Sequence, residues 1–238
     1  RPGNMVLVVS GNIDPEEMSL IICDDAALRA KDDGGLNRRM LAETDTSLRN
    51  KSISQKMVVA RPKVLIGFKD HDLTGDGRVL QKRDFVSQMV IEILFGKSST
   101  NYDELYDGGV IDDTFTAYYS GYNDFGFSLI GGDTENPQQF QDRMMEILDK
   151  DVLKGVDPES FDRQKNKYLG KIIRTFNSVE SVAYSMMNFF FKDLNPSDVI
   201  KIIESITIDD LNLRLKSHFI TDQAASSLIE PEDGGVAS

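Results

Sequence analysis

The chain has 238 residues, of which 27 are Lys or Arg and 39 are Asp or Glu, so its formal net charge is −12 at pH 7. An acidic surface repels phosphate groups, which excludes nucleic acid as the expected partner. No apolar run approaches the ~20 residues of a membrane-spanning helix. The single cysteine excludes an internal disulfide and fits a reducing compartment, so we expect a cytoplasmic protein without a membrane span.

The first 31 residues predict a strand followed by a helix. The run MVLVVSG at 5–11 is rich in β-branched residues and closes on glycine. The segment DPEE at 14–17 then supplies a helix cap, a proline at the first helical position and acidic first-turn residues, for a helix reaching about Lys31. Residues 32–52 contain a glycine pair and many charges, and predict a linker. Because the sequence begins with Arg, we expect it to be part of a longer chain.

The strand-like runs of residues 53–231 predict one sheet. Two of these runs lie within 53–69 and meet at Pro62, which predicts a sheet edge or a break because proline lacks a backbone donor. The aromatic-rich segment 114–131 predicts a β-hairpin, and SSLIEP at 226–231 predicts a closing strand.

Helical patterns separate and follow these strands. The run at 81–96 repeats apolar residues at helical spacing and ends at a glycine, and the next residues predict another short helix. Further helices are predicted over 136–153, 157–176, 179–191, 197–206 and 208–219, with a tail at 232–238. This order predicts an α+β, two-layer domain whose mainly antiparallel sheet is covered by helices.

One segment matches a calcium loop in part. Asp72, Thr74 and Asp76 stand at positions 1, 3 and 5 of an EF-hand pattern. Position 12, which needs a bidentate glutamate, is Arg83. A solvated loop between a strand and a helix is the favoured interpretation, and a calcium-binding module is a weaker alternative hypothesis.

The remaining candidate groups indicate packing rather than chemistry. His71 and His218 lie far apart with no second imidazole four residues on, which argues against a zinc site and favours surface or capping positions. Cys23 lies in an apolar helical run and is expected to be a buried, inert thiol. The apolar cluster SMMNFFF at 185–191 predicts core packing, with an interface to a missing partner as the alternative.

Four stretches, in this order, resemble the C-terminal part of a half-subunit in the insulinase, pitrilysin and mitochondrial-processing-peptidase family of zinc peptidases, and most of all its bacterial members. They are PGNMVLVVSGNIDPEEM at 2–18, FGKSSTNYDELYDGG at 95–109, FGFSLIGGDTENPQQF at 125–140 and DPESFDRQKNKYLGK at 157–171. The resemblance implies that 1–31 is the strand–helix tail of a preceding half. It also implies that 53–231 is the C-terminal peptidase-like domain.

Catalytic members of that family bind zinc through the motif His-x-x-Glu-His, which does not occur in these 238 residues. The resemblance therefore implies that this chain has no catalytic residue and no cofactor of its own. Zinc is expected in the full-length protein if its upstream half contains the motif. The family's second half also contributes an Arg and a Tyr that hold the substrate, and their places fall on Tyr106 and Asp112, so neither role is transferred.

Three aromatic residues stay as candidate substrate-binding residues under this resemblance. Tyr106 and Tyr118 would hydrogen-bond a peptide, and Phe115 would stack against it. The favoured interpretation for each, from the residues alone, is an aromatic side chain that only covers the sheet. Any peptide is expected to pair along an exposed strand edge of the hairpin at 114–131.

The resemblance implies the non-catalytic C-terminal half of a pitrilysin-type zinc metallopeptidase, which forms one wall of a peptide-binding chamber. The expected partners are the missing N-terminal half, an unstructured peptide, and a second chain in a homo- or heterodimer. The alternative is a catalytically dead peptidase-fold binding or scaffold protein. The apolar segment 5–11 is expected to dock on its own domain or on a neighbouring copy.

Overall fold

Five strands form one sheet in the computed structural model, which describes residues 5–24, 48–71, 74–122 and 125–232. The strands are β1 (Ser52–Met57), β2 (Lys63–Lys69), β3 (Thr116–Gly121), β4 (Gly126–Asp133) and β5 (Ala225–Pro231). Their order across the sheet is β1-β5-β2-β4-β3, in which β1 and β5 are parallel and the other pairs antiparallel. The predicted, mainly antiparallel sheet is confirmed, with β1 and β3 at its edges.

Eight α-helices accompany the sheet in the described part of the chain. They are α1 (Pro15–Asp24), α2 (Gly77–Phe95), α3 (Thr100–Asp107), α4 (Pro137–Lys154), α5 (Pro158–Thr175), α6 (Val179–Phe190), α7 (Pro196–Ser205) and α8 (Ile208–His218). A side-chain oxygen caps the first turn of each helix from α2 to α8, which fixes where the helix begins. Helix α2 begins earlier than predicted because Asp76 caps it, accepting from the Val79 N–H at 3.0 Å.

The core lies between one face of the sheet and the helices. Alternate residues of β2, namely Val64, Ile66 and Phe68, are buried, whereas the residues between them face away from the core. Helix α2 packs against β3 and contacts helices α7 and α8, and its Met89 is fully buried. This is the predicted two-layer arrangement, with burial of one apolar face per layer as its main stabilisation.

The N-terminal segment differs from the prediction. Residues 5–11 form no strand, and Met5 and Leu7 are 74% and 62% exposed. A strand needs a partner for its backbone groups, and none of the five described strands pairs with this segment. Helix α1 has no buried residue, and Cys23, expected to be buried, is exposed because α1 joins no core. The docking of this segment stays a prediction, and residues 25–47 lie outside the described chain.

The apolar cluster at 185–191 is also more exposed than predicted. Helix α6 has no fully buried residue, and Met186 and Phe190 are 42% and 61% exposed. Phe189 packs partly against the core. Core packing is therefore wrong for most of the cluster, because α6 lies at the margin of the helical layer beside α5. Over the residues described, no helix is both long and apolar enough for a bilayer.

Candidate functional site

The outer face of the sheet carries apolar side chains that none of the described helices covers. Leu65 and Tyr118 are 42% and 43% exposed, and Ile53 on the edge strand β1 is also exposed. The register places Tyr118 opposite Leu129, so both side chains lie on this outer face. An antiparallel sheet with one solvated face normally turns polar residues outward. Apolar residues in that position indicate a contact surface.

The edge strand β3 borders this outer face and leads into an aromatic turn. Strand β3 pairs with β4 on one side, so its other side offers backbone groups to an extended chain. At its end the Tyr122 N–H donates to the Phe125 carbonyl at 2.8 Å, and the two rings stack with centroids 4.4 Å apart. The Phe127 ring lies nearly parallel to Phe125, at 6.4 Å. The hairpin thus combines an open edge with an exposed aromatic end.

The three predicted substrate-binding residues lie in different environments. Tyr106, on α3, is exposed and stacks on Tyr102 with ring centroids 6.0 Å apart. Tyr118 faces outward from β3. Phe115 packs inward, with its ring 6.3 Å from Phe95 and 6.2 Å from Phe140. The two tyrosines are accessible to a ligand, whereas Phe115 packs on the core.

Asp112 is the second of the two positions at which the family has a substrate-holding Arg or Tyr, and its side chain connects two loops. Arg61 Nη2 donates to Asp112 Oδ2 at 2.6 Å, and the Thr114 N–H and hydroxyl donate to Oδ1 at 2.8 and 2.6 Å. These bonds, that of the Thr114 hydroxyl first, hold the pKa of the Asp112 carboxyl below its usual range. Asp112 therefore connects the β1–β2 loop to the start of β3.

A buried ion pair lies between the sheet and the helices. Arg214 Nη1 donates to Asp70 Oδ1 at 3.1 Å, and Arg214 Nε donates to Ser87 Oγ at 2.7 Å. The Tyr119 hydroxyl donates to Asp70 Oδ2 at 2.7 Å. Burial alone would raise the pKa of Asp70, but the bonds from Arg214 and Tyr119 bring it below its ordinary value. A buried carboxylate that accepts these hydrogen bonds stays charged. The network thereby connects the end of β2 with β3, α2 and α8.

His218 completes this network and corrects the prediction that it lies on the surface. It is 5% exposed, and its Nε2 lies 2.7 Å from Ser128 Oγ. Burial, with the charge of Arg214 as a second cause, lowers its pKa to about 3, so the ring is neutral. Ser128 is fully buried, so no substrate carbonyl reaches its hydroxyl and the pair does not form a hydrolase site.

The spacing of residues in α8 is a sequence signal for this buried network, although the two histidines by themselves did not indicate it. Four residues of α8 recur at helical spacing on the face that turns to the core: Leu211, Arg214, Leu215 and His218. Two charged or titratable residues in an apolar stripe indicate a buried pair rather than a capping role. Their partners, Asp70 just after β2 and Ser128 in β4, are too distant in sequence to be identified from the stripe.

The described residues do not fit a catalytic metal. They contain no group of three His, Cys, Asp or Glu side chains that would hold an ion. His218 is engaged with Ser128, and His71 lies exposed just after β2. In the segment that matches part of a calcium loop, Asp76 caps α2, and Asp72 lies outside the described residues. No chemical step is therefore assigned to a metal bound by this chain.

Comparison with known proteins places the chain among inactive peptidase domains. Residues 1–168 match the family model described as the peptidase M16 inactive domain. The chain is 28% identical over 232 residues to the uncharacterized zinc protease YmfH of Bacillus subtilis, a match that covers 98% of this chain and 54% of that protein. The chain therefore spans about half the length of the curated relative it matches.

Solved structures show the same fold. A protein described as an M16-like peptidase from Alicyclobacillus acidocaldarius matches with a TM-score of 0.71 and 25% identity, over 76% of this chain and 44% of that one. The inactive peptidase domain of a protein described as a zinc protease from Bordetella parapertussis matches with a TM-score of 0.62 and 12% identity, over 77% and 98%. The second match extends over almost the whole of a domain that was solved by itself.

Proposed function

Because the chain belongs to the family of peptidase M16 inactive domains, we propose that it is the non-catalytic C-terminal half of a pitrilysin- or insulinase-type zinc metallopeptidase. In this proposal it forms one wall of a chamber around an unfolded peptide. An N-terminal half of the same polypeptide supplies zinc-dependent hydrolysis and is the first partner of this chain. The match to just over half of a zinc protease supports this division of roles.

The observation that supports peptide binding is the exposed apolar outer face of the sheet beside the open edge of β3. An extended peptide adds to such an edge through main-chain hydrogen bonds, which demand no particular sequence. Tyr118 stands on that face, 43% exposed, next to the peptide's expected path. Binding of this kind suits a domain that holds many different unfolded segments.

The role of this chain is to bind and orient the peptide rather than to transfer protons. Asp70 and His218, two titratable residues of the buried network, are 4% and 5% exposed and are engaged with other side chains. A general acid or base must come within hydrogen-bond reach of the reacting group. These buried residues do not meet that requirement, so hydrolysis is assigned to the other half.

Peptide titration followed by amide hydrogen exchange tests the proposal. With an excess of an unstructured peptide we expect new protection over residues 116–121, and Tyr118→Ala should weaken binding several-fold. The matched control is Phe176→Ala, which removes an aromatic ring of similar exposure from the helical layer. Protection restricted to helices, or equal effects of the two substitutions, would place the peptide elsewhere.

A catalytically dead peptidase-fold scaffold is the second candidate, because this chain has no His-x-x-Glu-His motif. The two candidates differ in the rest of the polypeptide. A full-length protein that contains the motif and hydrolyses an unstructured peptide supports the first proposal. A full-length protein without the motif that still binds peptide, or joins a second chain in a dimer, supports the scaffold.

A further inference from the structure

A cleft separates the end of the β3–β4 hairpin from helix α6, with helix α2 at its floor. Its volume is about 730 Å³, which lies in the range of ligand-binding pockets. The lining residues that matter here come from three elements: Asp84 and Gln88 on α2, Tyr122 and Phe125 at the hairpin end, and Tyr184, Asn188, Phe191 and Lys192 on or after α6. The cleft lies on the side of the hairpin that faces α2, and it shares Tyr122 and Phe125 with the aromatic end of the hairpin described above.

The walls of this cleft are aromatic and exposed. Tyr122 and Phe125 are 53% and 44% exposed on one side, and Tyr184 and Phe191 are 65% and 50% exposed on the other. Rings of this size contribute strongly when they enclose an apolar group, because each buries a large area at a low cost in side-chain entropy. The walls therefore favour an aromatic or large aliphatic group between them.

The floor of the cleft is polar but electrically balanced. Lys192 Nζ lies 3.7 Å from Asp84 Oδ2 and donates to Gln81 Oε1 at 2.8 Å. The Gln88 amide donates to the other oxygen of Asp84 at 3.1 Å. Because the Asp84 and Lys192 charges offset one another, the floor does not select a charged ligand. The amide of Asn188, which is exposed, offers a donor and an acceptor of the kind that a peptide backbone needs.

The cleft is continuous with the open edge of β3. Gly121, the last residue of that strand, and Ser120 before it both line the cleft. A peptide paired along β3 therefore reaches the cleft at the end of the strand. Pairing along a strand edge uses main-chain hydrogen bonds and does not distinguish one side chain from another. A pocket beside the edge contacts a side chain and can therefore distinguish between peptides.

We propose that this cleft binds one aromatic or large aliphatic side chain of the peptide, and so gives the domain its preference among unfolded segments. The inference rests on the proposed peptide-binding function. The apolar walls hold the side chain, and the neutral polar floor accepts the adjoining backbone amides without a net charge. Acidic and basic side chains are disfavoured because the floor already contains a compensated pair.

Phe191 and Phe190 provide a matched test. They are adjacent, of the same type and 50% and 61% exposed, but only Phe191 lines the cleft. Fluorescence anisotropy is measured with two labelled unstructured peptides that differ at one central residue, Phe or Gly. We expect the Phe peptide to bind about tenfold more tightly than the Gly peptide. Phe191→Ala should remove that difference, whereas Phe190→Ala should leave it unchanged.

The outcomes separate this inference from the function on which it rests. If both peptides bind equally to the unaltered chain, or if Phe191→Ala and Phe190→Ala act alike, the cleft is not the selective site although peptide binding stands. If neither peptide binds, the inference and the proposed function both fail. Circular dichroism of the two variants shows whether both retain the fold, and Tyr184→Ala on the same wall repeats the test should Phe191→Ala unfold.

Discussion

Gly77 lies where the first turn of α2 meets the backbone just after α6. A Cβ atom at this position would lie 1.7 Å from the Lys192 carbonyl oxygen. Because that oxygen belongs to the backbone, it cannot move aside as easily as the end of a flexible side chain. The glycine therefore permits a close approach of two elements, one of which contributes Lys192 to the cleft. Gly170 in α5 is the contrasting case, since a Cβ there meets no heavy atom within 4 Å.

Gly77→Ala should destabilise the protein by about 1–3 kcal/mol, because the added methyl group forces α2 and the turn after α6 apart. Gly170→Ala should instead be neutral or stabilise by up to about 1 kcal/mol, since alanine is the better helix former. Urea unfolding of both variants measures the two changes. Equal effects of the two substitutions would contradict the close approach.

The burial of His218 makes the stability of the protein depend on pH. In the unfolded chain its imidazole binds a proton below its ordinary pKa of about 6.5, whereas in the folded chain burial lowers that pKa to about 3. Between these two values the unfolded state binds more protons. Stability is therefore fully present above pH 6.5 and falls as the pH decreases toward 3.

We expect the free energy of unfolding to fall by up to about 1.4 kcal/mol for each pH unit below about 6.5 through this one group. Asp70, whose pKa is also lowered, adds to the loss once the pH approaches the ordinary range of a carboxyl. Denaturant unfolding at a series of pH values measures the slope. His218→Asn removes the imidazole, and its slope between pH 6.5 and 4.5 should be flatter; an unchanged slope would contradict the assignment.

At the scale of elements, the core is formed by the strands and helices from β2 onward, and the described residues 5–24 lie outside it. The buried apolar residues of the described chain lie between Val64 and Phe219. Helix α1 contributes none of them, and residues 5–11 pair with no strand. Their exposed apolar residues are consistent with a partner outside this domain, which is where the proposed N-terminal half would stand.

Deleting residues 1–45 should leave residues 53–231 folded, because the described residues within the removed part, 5–24, contribute no side chain to the core. Thermal unfolding followed by circular dichroism should remain cooperative, with a midpoint within a few degrees of that of the intact chain. Loss of a cooperative transition would mean that the first segment belongs to the main core. A rise in solubility on deletion would fit the removal of exposed apolar residues such as Met5 and Leu7.

At the scale of the whole molecule, the chain has the fold of a peptidase M16 inactive domain, and its described residues contain no group that would hold a metal ion. Its two histidines are His71, exposed after β2, and His218, buried beside Ser128. The inward face of the sheet packs against the helices and forms the core. The outward face, the β3 edge and the cleft are accessible to a ligand. Binding and catalysis are thus assigned to different halves in the proposed function.

The isolated chain should bind no stoichiometric zinc and hydrolyse no peptide, since it lacks both the paired histidines and the glutamate between them. Elemental analysis of protein purified without chelator measures the metal, and cleavage of an unstructured fluorogenic peptide measures the activity. One zinc ion per chain at micromolar affinity, together with cleavage, would overturn the proposed function. Nickel-free purification excludes metal introduced by an affinity column.

Features that depend on a few neighbouring residues were determined by the sequence itself. Asn136 and Asp157 each precede a proline and cap α4 and α5, so both helices begin where the pattern predicts. The hairpin at 114–131 and the strand at 226–231 follow from equally local patterns. The resemblance that indicated the family also lies in short stretches of sequence, and the match to the M16 inactive domain confirms it.

Only the tertiary structure decided which elements meet. Strand β1 lies parallel to β5 at the opposite end of the domain sequence, and Arg214 finds Asp70 across 144 positions. The same long-range packing buries His218 and leaves the apolar cluster of α6 exposed. Neither outcome was predicted from the residues that neighbour these positions in sequence. The physical reason is that capping and turn formation depend on neighbouring residues, whereas the burial of a side chain depends on the surfaces that distant segments bring to it.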